Sequence, residues 1–270
     1  FNIEHLGNAS ARYGEAKNVA QEPDDLADKI LQTESDILAL QEIYITAPNH
    51  KNATLNDVMD RLNRRAGQDW TYMLFRNRDT FDDSQVTGIA WNRDRVSRSG
   101  AAHRIPIDDD TPIDFEWDRH PHAVKFSAGE GRTDIVVIPL HMKAGSGADE
   151  REQRESEADM LIEALDEVRD HFDDADLMII GDTNIRGSRE TTADKIEAAG
   201  FKDLLPANQT TVMFGFRAFD RAFVASDSVE LRSSSQKTFD VGEDDREDYR
   251  KRFSDHYPIV VTVQVMEDDD

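Results

Sequence analysis

Hydrophobic and polar positions along the chain form two patterns: short apolar runs typical of buried strands, and longer stretches with apolar residues at helical spacing. The apolar runs predict strands at residues 1–3, 36–40, 70–75, 87–91, 124–126, 135–140, 177–180, 219–225 and 259–265. Helical spacing predicts helices at residues 23–33, 55–66, 149–172 and 192–199. The patterns alternate to the end of the chain without a repeat or a low-complexity linker, which predicts one mixed α/β domain, 1–270.

Local signals mark the boundaries of the first two helices. Pro23 stands at a first turn with acidic residues beside it, which suits the start of a helix. Thr54 can cap the second helix and Gly67 can end it. By contrast, the polar stretch 105–121 contains prolines and predicts a long loop, with the acidic run 108–110 at its tip.

The apolar run 177–180 is broken by Gly181 and followed by Asp182 and Asn184. Residues two apart in an extended chain point to the same side, so this carboxylate and this carboxamide would face one point at the end of the strand. That pair suits a hard cation and a phosphate. Asp and Asn are also common turn residues, and on this motif alone a plain turn is the simpler interpretation.

Other polar residues occupy the same kind of position, at the end of a predicted strand. Each of them alone has a structural explanation, such as a frayed strand end, a turn or a histidine satisfied in the core. Their recurrence at strand ends favours a common site. The full set is Asn2, Glu42, His141, Asp182, Asn184, Asp220, Asp255 and His256.

These residues lie in short motif blocks at 1–7 (FNIEHLG), 41–42 (QE), 140–141 (LH), 181–184 (GDTN), 219–221 (FDR) and 254–258 (SDHYP). The order and placement of the blocks resemble those of the endonuclease/exonuclease/phosphatase superfamily, with the deoxyribonuclease I branch nearest. The resemblance implies a four-layer αββα sandwich with two central mixed β-sheets and helices outside. It also implies metal-dependent cleavage of phosphoester bonds.

The resemblance implies a divalent metal bound mainly by Glu42, with Asn2 and Asp255 assisting. Carboxylate and amide oxygens without a thiolate suit Mg²⁺ or Mn²⁺, which would neutralise charge that develops on the reacting phosphate. Structural Ca²⁺ in the acidic loops is compatible with the same composition.

The catalytic roles implied by the resemblance fall on two histidines and their neighbours. His141 and His256 would flank the scissile phosphate, one protonating the leaving oxygen and the other generating or orienting the attacking water. Asp220 would hold one of the two imidazoles. Asp182 and Asn184 would position the nucleophile and the phosphate.

Substrate contacts are implied for four residues. Arg119, in the sequence RHPH, resembles an arginine that contacts phosphate in the nuclease members. Asn2 and Asn184 would also contact the substrate. Tyr44 follows the QE block, where nuclease members often have a basic residue for the minor groove.

The chain departs from the family pattern near His141. The second acidic partner expected for this histidine is replaced by Gln85, or by Asp83 if the loop shifts. Thr183 replaces the aromatic residue or leucine that is usual at its position, which we interpret as a packing change.

The chain is strongly acidic, with 56 acidic against 32 basic residues and a formal net charge of -24. Such a surface repels polyanions at low salt. At ~1 M salt the Debye length falls to about 3 Å, and most of that repulsion is screened. A surface rich in Asp and poor in Lys resembles that of salt-adapted proteins. The alternative is an acidic protein whose substrate is small or uncharged.

The remaining composition gives less information about the compartment and the partners of the protein. The chain has no cysteine, which excludes disulfides and thiolate chemistry but leaves the compartment open. No apolar run approaches the roughly 18 residues that a membrane span needs. A leader removed before Phe1 would favour a secreted protein. We expect a monomer, and a tethered DNA-binding module outside this chain would be one route to DNA for an acidic domain.

Together these features favour a divalent-metal-dependent endonuclease that hydrolyses DNA. Little sequence preference is expected, since no cluster of Arg, Asn or Gln suited to reading bases is visible. The alternative is a phosphatase or phosphodiesterase of the same fold that acts on small-molecule or lipid headgroup phosphates, of the inositol phosphate or sphingomyelin type. A non-catalytic binding module is least favoured, because it would not need the histidines and acids of the motif blocks.

Overall fold

The computed structural model describes residues 1–77, 85–106, 117–187, 190–215, 217–239 and 245–269. Within these ranges the helices are α1 (Pro23–Thr33), α2 (Ala53–Ala66), α3 (Ala148–Phe172), α4 (Thr192–Ala198) and α5 (Arg246–Arg252). The strands are β1 (Asn2–Leu6), β2 (Ile37–Tyr44), β3 (Trp70–Leu74), β4 (Gln85–Asn92), β5 (Ser97–Arg104), β6 (His122–Ser127), β7 (Asp134–His141), β8 (Leu177–Asp182), β9 (Phe201–Asp203), β10 (Asp220–Ala225), β11 (Ser235–Thr238) and β12 (Ile259–Thr262).

Two mixed sheets stand at the centre of the fold. The first has the strand order β1-β2-β4-β3 and the second the order β5-β6-β7-β8-β10-β9, while β11 and β12 pair separately. Each large sheet contains one parallel pair, β1 with β2 and β7 with β8, among the described strands. Between the sheets, Ile89 and Trp91 pack with Phe126 and Val137. The sheets therefore lie face to face over a shared apolar layer.

Helices cover the outer face of each sheet. Leu26 of α1 and Leu55 of α2 are fully buried in the cluster on the first sheet. Leu161 and Val168 of α3 are fully buried in the cluster on the second. Fully burying a side chain of this size contributes about 1.5–3 kcal/mol. The four-layer αββα sandwich expected from the sequence is confirmed. Every helix in the described ranges is too short or too polar to cross a membrane.

The start of α2 differs from its prediction. Asn52 caps the helix in place of Thr54, because its buried side chain accepts a hydrogen bond from the backbone N–H of Leu55 at 2.8 Å. The same side chain donates to the carbonyl oxygens of Leu6 and Tyr44, at 3.0 and 2.8 Å. This residue therefore joins the helix to two strands of the first sheet.

Two strands also differ from the hydrophobic pattern. β2 continues past residue 40 to Tyr44, so Glu42 lies inside a strand and not at its end. β5 (Ser97–Arg104) is an edge strand that the pattern does not predict, because its residues are mostly exposed and polar. The acidic run 108–110 lies outside the described residues.

A buried arginine joins the first strand to the last helix. Arg12 is 1% exposed and pairs with Glu4, with 3.0 Å between Nη2 and Oε2. Its Nη1 atom donates to the carbonyl oxygen of Lys251, also at 3.0 Å. Charge-assisted bonds of this kind are among the stronger hydrogen bonds in proteins. They hold β1, which carries Asn2, against the segment that leads to His256.

Candidate active site

The site begins where two parallel strands end side by side. β7 and β8 pair with His141 opposite Asp182. Gly181 permits the close approach, because its φ is +153° and an added Cβ would lie 2.0 Å from the carbonyl oxygen of Leu140. The Nε2 atom of His141 consequently lies 3.6 Å from Oδ2 of Asp182. The glycine that breaks the apolar run thus sets the spacing between a histidine and a carboxylate.

A third strand, β10, places a second carboxylate beside His141 and Asp182. β10 runs antiparallel to β8, with Asp220 opposite Asp182. The hydroxyl of Thr183 donates to the carbonyl oxygen of Phe219 at 2.7 Å and fastens the ends of the two strands. This hydrogen bond gives the buried threonine a role at the strand ends that the sequence does not suggest, while the packing change stays a prediction.

His256 lies against both carboxylates. Its Nδ1 atom is 2.8 Å from Oδ2 of Asp220, and its Nε2 atom is 3.8 Å from Oδ2 of Asp182. The backbone of His256 is fixed by a bridge to Val212, and its N–H donates to Oγ of Ser254 at 3.1 Å. The Asp220 carboxylate can therefore hold the ring with Nδ1–H towards it and Nε2 towards the site.

The two histidines have opposite electrostatic surroundings. Burial, followed by the positive charges of Arg119 and His256, holds the pKa of His141 well below its usual range. Burial would also lower the pKa of His256, but the charges of Asp220 and Asp182 raise it well above its usual range. These surroundings therefore favour the neutral form of His141 and the charged form of His256.

Glu42 reaches the site from the other sheet through a bulge in β2. The pairing of β2 with β4 shifts between Leu40 and Ile43, and Glu42 has a φ of 62°, which is rare for a residue with a side chain. The amide nitrogen of Asn2 donates to Oε1 of Glu42 at 3.0 Å and to Oδ2 of Asp182 at 3.1 Å. One carboxamide thus connects carboxylates from the two sheets.

Two residues support Glu42 in a way that the sequence does not predict: His5 is not singled out there, and Gln85 is expected beside His141. The backbone N–H of His5 donates to Oε2 of Glu42 at 3.1 Å, and Nε2 of Gln85 donates to the same oxygen at 3.3 Å. Gln85 therefore orients Glu42, while Nδ1 of His141 has no hydrogen-bond partner within the described ranges. Asp83, the other suggested partner of His141, lies outside those ranges. The only sequence signal for His5 is its place in the opening motif block.

The predicted substrate-contacting residues border the site. The side chains of Asn184 and Arg119 both donate to the carbonyl oxygen of Met142, at 3.2 and 3.0 Å. Met142 directly follows His141, so these two side chains lie on the histidine side of the site. The hydroxyl of Tyr44 lies 3.2 Å from Nδ1 of His5, on the Glu42 side.

The donor set fits a hard divalent cation. One potential ligand atom each from Glu42, His141 and Asp182 lies within 4.8 Å of the other two. Burial raises the pKa of Asp182 to about 6, with His256 opposing that shift and Asp220 and Glu42 adding to it. A cation beside these acids would offset the repulsion among them.

The other two predicted metal ligands are arranged differently. Asn2 presents its amide nitrogen to the carboxylates, because its Oδ1 accepts from the backbone N–H of Glu4 at 3.1 Å. In this geometry Asn2 orients the ligands, and its direct ligation stays a prediction. The nearest ionic partner of Asp255 among the described residues is Arg250, at 3.9 Å. Its role as a ligand likewise stays a prediction.

Comparison with solved structures supports the fold seen here. An endonuclease/exonuclease/phosphatase from Bacteroides vulgatus superposes with a TM-score of 0.65 at 14% identity, covering 99% of this chain and 97% of that chain. A mannosyl-6-phosphatase from Bacteroides thetaiotaomicron superposes with a TM-score of 0.64 at 16% identity, covering 97% of both chains. The fold is that of the endonuclease/exonuclease/phosphatase superfamily, as the motif blocks predict.

Sequence comparison relates part of this chain to a known nuclease. The chain is 29% identical over 159 residues to deoxyribonuclease-1 of Sus scrofa, a match that covers 55% of this chain and 54% of that protein. The matched region therefore spans about half the length of the relative. No family model matches the chain. The relation confirms the resemblance to the deoxyribonuclease I branch.

Proposed function

We propose that this protein is a metal-dependent phosphodiesterase that cuts DNA as an endonuclease with little sequence preference. The observation that carries the proposal is the convergence of His141, His256 and the carboxylates of Glu42 and Asp182 at the ends of two facing sheets. The relation to a deoxyribonuclease favours DNA over other phosphate esters.

The two histidines divide the proton transfers of hydrolysis. His141 is neutral and accepts a proton from the water whose oxygen attacks phosphorus. His256 is protonated and donates a proton to the O3′ leaving oxygen as the P–O3′ bond breaks. Asp220 positions the His256 ring and favours its cationic form. Protons and bonds balance, because one proton is taken from water and one is delivered to the leaving group.

The metal site belongs to the same proposal. Glu42 and Asp182 would hold a divalent cation, which when bound supplies positive charge against the charge that develops on the phosphate. Asn2 donates to both carboxylates, while His5 and Gln85 donate to Glu42, so the protein fixes the orientation of these oxygens. Such supporting contacts commonly alter metal affinity or activity by about 10–100-fold.

Contacts to the substrate are proposed on either side of the reacting group. Arg119 and Asn184 stand next to the strand end that carries His141 and would bind phosphate oxygens. Tyr44 would contact the nucleic acid on the Glu42 side. Binding through the backbone of DNA in this way gives little sequence preference.

The second candidate is a phosphatase or phosphodiesterase that acts on a small or lipid headgroup phosphate. The net charge of -24 favours it, because a strongly acidic surface repels a polyanion at low salt. A mannosyl-6-phosphatase shares the fold, which makes small phosphate esters a reasonable substrate class to test.

One assay separates the candidates. Supercoiled plasmid is incubated with Mg²⁺ across a salt series, and phosphate release from inositol phosphates and a phosphodiester headgroup analogue is measured in parallel. Nicking to open circles is expected. Intact plasmid together with hydrolysis of the small esters would favour the second candidate, and His256→Ala serves as the background control in both arms.

A further inference from the structure

A second acidic cluster lies at the opposite end of the strands that carry the candidate active site. Asp134 begins β7, Asp176 precedes β8 and Glu230 follows β10. One carboxylate oxygen from each of the three lies within 4.8 Å of the other two. From Asp134 to His141, β7 extends by about 20 Å at roughly 3.3 Å per residue, so the two clusters are separate.

The carboxyl group of Glu230 is buried and faces the carboxyl group of another acid, Asp176. The residue is 0% exposed, and both of its side-chain oxygens lack a partner within the described ranges. Asp176 and Asp134 are 3% and 8% exposed, and Oδ1 of Asp134 also lacks a partner there. An ionised carboxylate out of contact with water is strongly unfavourable unless a cation or a donor compensates it.

The neighbouring basic side chain does not balance the cluster. Lys125 lies 2.8 Å from Oδ2 of Asp134 and 3.0 Å from Oδ2 of Asp174, so it is shared by two acids. Burial, together with the nearby charge of Asp176, raises the pKa of Glu230 to about 8. One ammonium group is therefore shared by two of the four acidic side chains at this end of the sheet.

We propose that Asp134, Asp176 and Glu230 bind a hard divalent cation, with Ca²⁺ preferred over Mg²⁺. Ca²⁺ takes 6–8 oxygen ligands at about 2.3–2.6 Å in flexible geometry, and ligand atoms that all lie within 4.8 Å of one another can share one such ion. With Oδ2 of Asp134 paired to Lys125, the three carboxylates can still supply five oxygens. Mg²⁺ usually keeps several waters, which this buried cluster admits poorly.

The bound cation would join the ends of three adjacent strands. β7, β8 and β10 carry His141, Asp182 and Asp220 at their other ends. A cation bound by Asp134, Asp176 and Glu230 would stabilise the register of these strands. The positions of the active-site residues at the opposite ends depend on that register. The site would be structural, and it does not rest on the proposed function.

Thermal unfolding after chelation tests this site. At constant ionic strength, Ca²⁺ at about a hundred times its Kd should raise the Tm of the wild-type protein by roughly 5 °C or more. Glu230→Gln should abolish that rise, and without Ca²⁺ it should unfold at a higher temperature than the wild type because repulsion is relieved. Asp227→Asn, an exposed change on the same turn, should respond like the wild type.

The controls separate this site from the candidate active site and from simple protonation. Glu42→Gln should keep the Ca²⁺-dependent rise, and calorimetric titration of that variant should show one bound Ca²⁺. Asp176→Asn replaces Glu230→Gln if the latter does not fold. An equal rise in the wild type and the cluster variants would overturn the proposal. So would stability that varies with pH but not with Ca²⁺, which would indicate a proton shared between carboxylates.

Discussion

The Nδ1 atom of His256 lies 2.8 Å from the carboxylate of Asp220, and this contact sets both the orientation and the charge of the ring. Burial favours the neutral imidazole, yet the charges of Asp220 and Asp182 outweigh it. His141, buried to a similar degree, lacks such a partner within the described ranges and has a lowered pKa. Asp220 and Asp182 thus raise the pKa of His256, whereas burial and the charges of Arg119 and His256 lower the pKa of His141.

Replacing the Asp220 carboxylate with a carboxamide should lower the pKa of His256 and slow hydrolysis. In Asp220→Asn the pKa of His256 should fall, because burial is then opposed by Asp182 and Asp255 without Asp220, and hydrolysis should drop by about 10²-fold or more. NMR titration of the ring and the pH dependence of kcat/KM measure the two effects. Asp203→Asn removes a carboxylate that pairs with Arg221 on β10 and should leave both near wild type. An unshifted His256 pKa in Asp220→Asn would contradict this account.

Both histidines should be needed for hydrolysis but not for folding. His141→Ala and His256→Ala should each keep the wild-type far-UV circular dichroism spectrum and lose at least about 10²-fold in turnover, the usual scale for a general acid or base. His171→Ala, a change at an exposed position of α3, is the matched control and should retain activity. Near-wild-type turnover in either active-site variant would refute the proposed mechanism.

Removal of the Glu42 carboxylate should weaken metal binding at the candidate active site. In Glu42→Gln the Mg²⁺ concentration for half-maximal rate should rise by about tenfold or more, since a charged ligand becomes neutral. Initial rates across a Mg²⁺ series measure this shift. Chelation with EDTA should abolish the wild-type activity and added Mg²⁺ should restore it. Hydrolysis that survives complete chelation would remove the metal from the mechanism.

Salt should affect this protein differently from an ordinary DNA binder. A protein with several phosphate contacts commonly loses about 10³-fold or more in affinity as salt rises. Here the net charge of -24 adds a long-range repulsion that salt screens, so plasmid nicking should be retained or increased towards ~1 M KCl. Nicking rates at fixed Mg²⁺ across a KCl series provide the measurement. A steep decline over that range would show that the acidic surface plays no such part.

Glu157 should make the stability depend on pH. Burial raises the pKa of this carboxyl from 4.5 to about 8, so between these values the folded state keeps a proton that the unfolded state releases. The stability is therefore fully present below the lower value and is lost as pH rises, by up to about 1.4 kcal/mol per pH unit. Glu157→Gln should flatten this dependence and stabilise the protein at pH 8.

Urea unfolding at several pH values measures the Glu157 effect. The glutamine carbonyl can still accept the bond that Glu157 receives from the backbone N–H of Lys143, at 2.9 Å in the native protein. Glu163→Gln, an exposed change on the same helix, should keep the wild-type dependence. Identical slopes for the wild type and Glu157→Gln would contradict the assignment.

Local sequence patterns predict much of the fold because apolar periodicity and chain breakers act over a few residues. The helix at 23–33 and the strand that ends at Asp182 need no knowledge of distant segments. Gly181 itself lies inside β8, where it pairs with Leu140 and Arg221, and Asp182 ends the strand directly after it. The arrangement of the layers is then implied by the family resemblance that the motif blocks carry.

The parts of the site that the sequence does not reveal depend on strand pairing. Glu42 projects towards the site only because β2 bulges against β4, and His5 and Gln85 become its neighbours through that register. Likewise, Asp134 and Asp176 each look like an ordinary residue at a strand start. Their proximity follows from the parallel pairing of β7 with β8, which periodicity alone does not give.

The contact of Arg12 with the carbonyl oxygen of Lys251 joins positions 239 residues apart. Asn2 and His256, which that contact helps to hold together, come from equally distant parts of the chain. Contacts of such separation form late and slowly, because the entropy of closing a long loop is lost before they stabilise anything. The helices and the central strands can therefore form before the candidate active site is assembled. The return of activity during refolding would then mark the final step of folding.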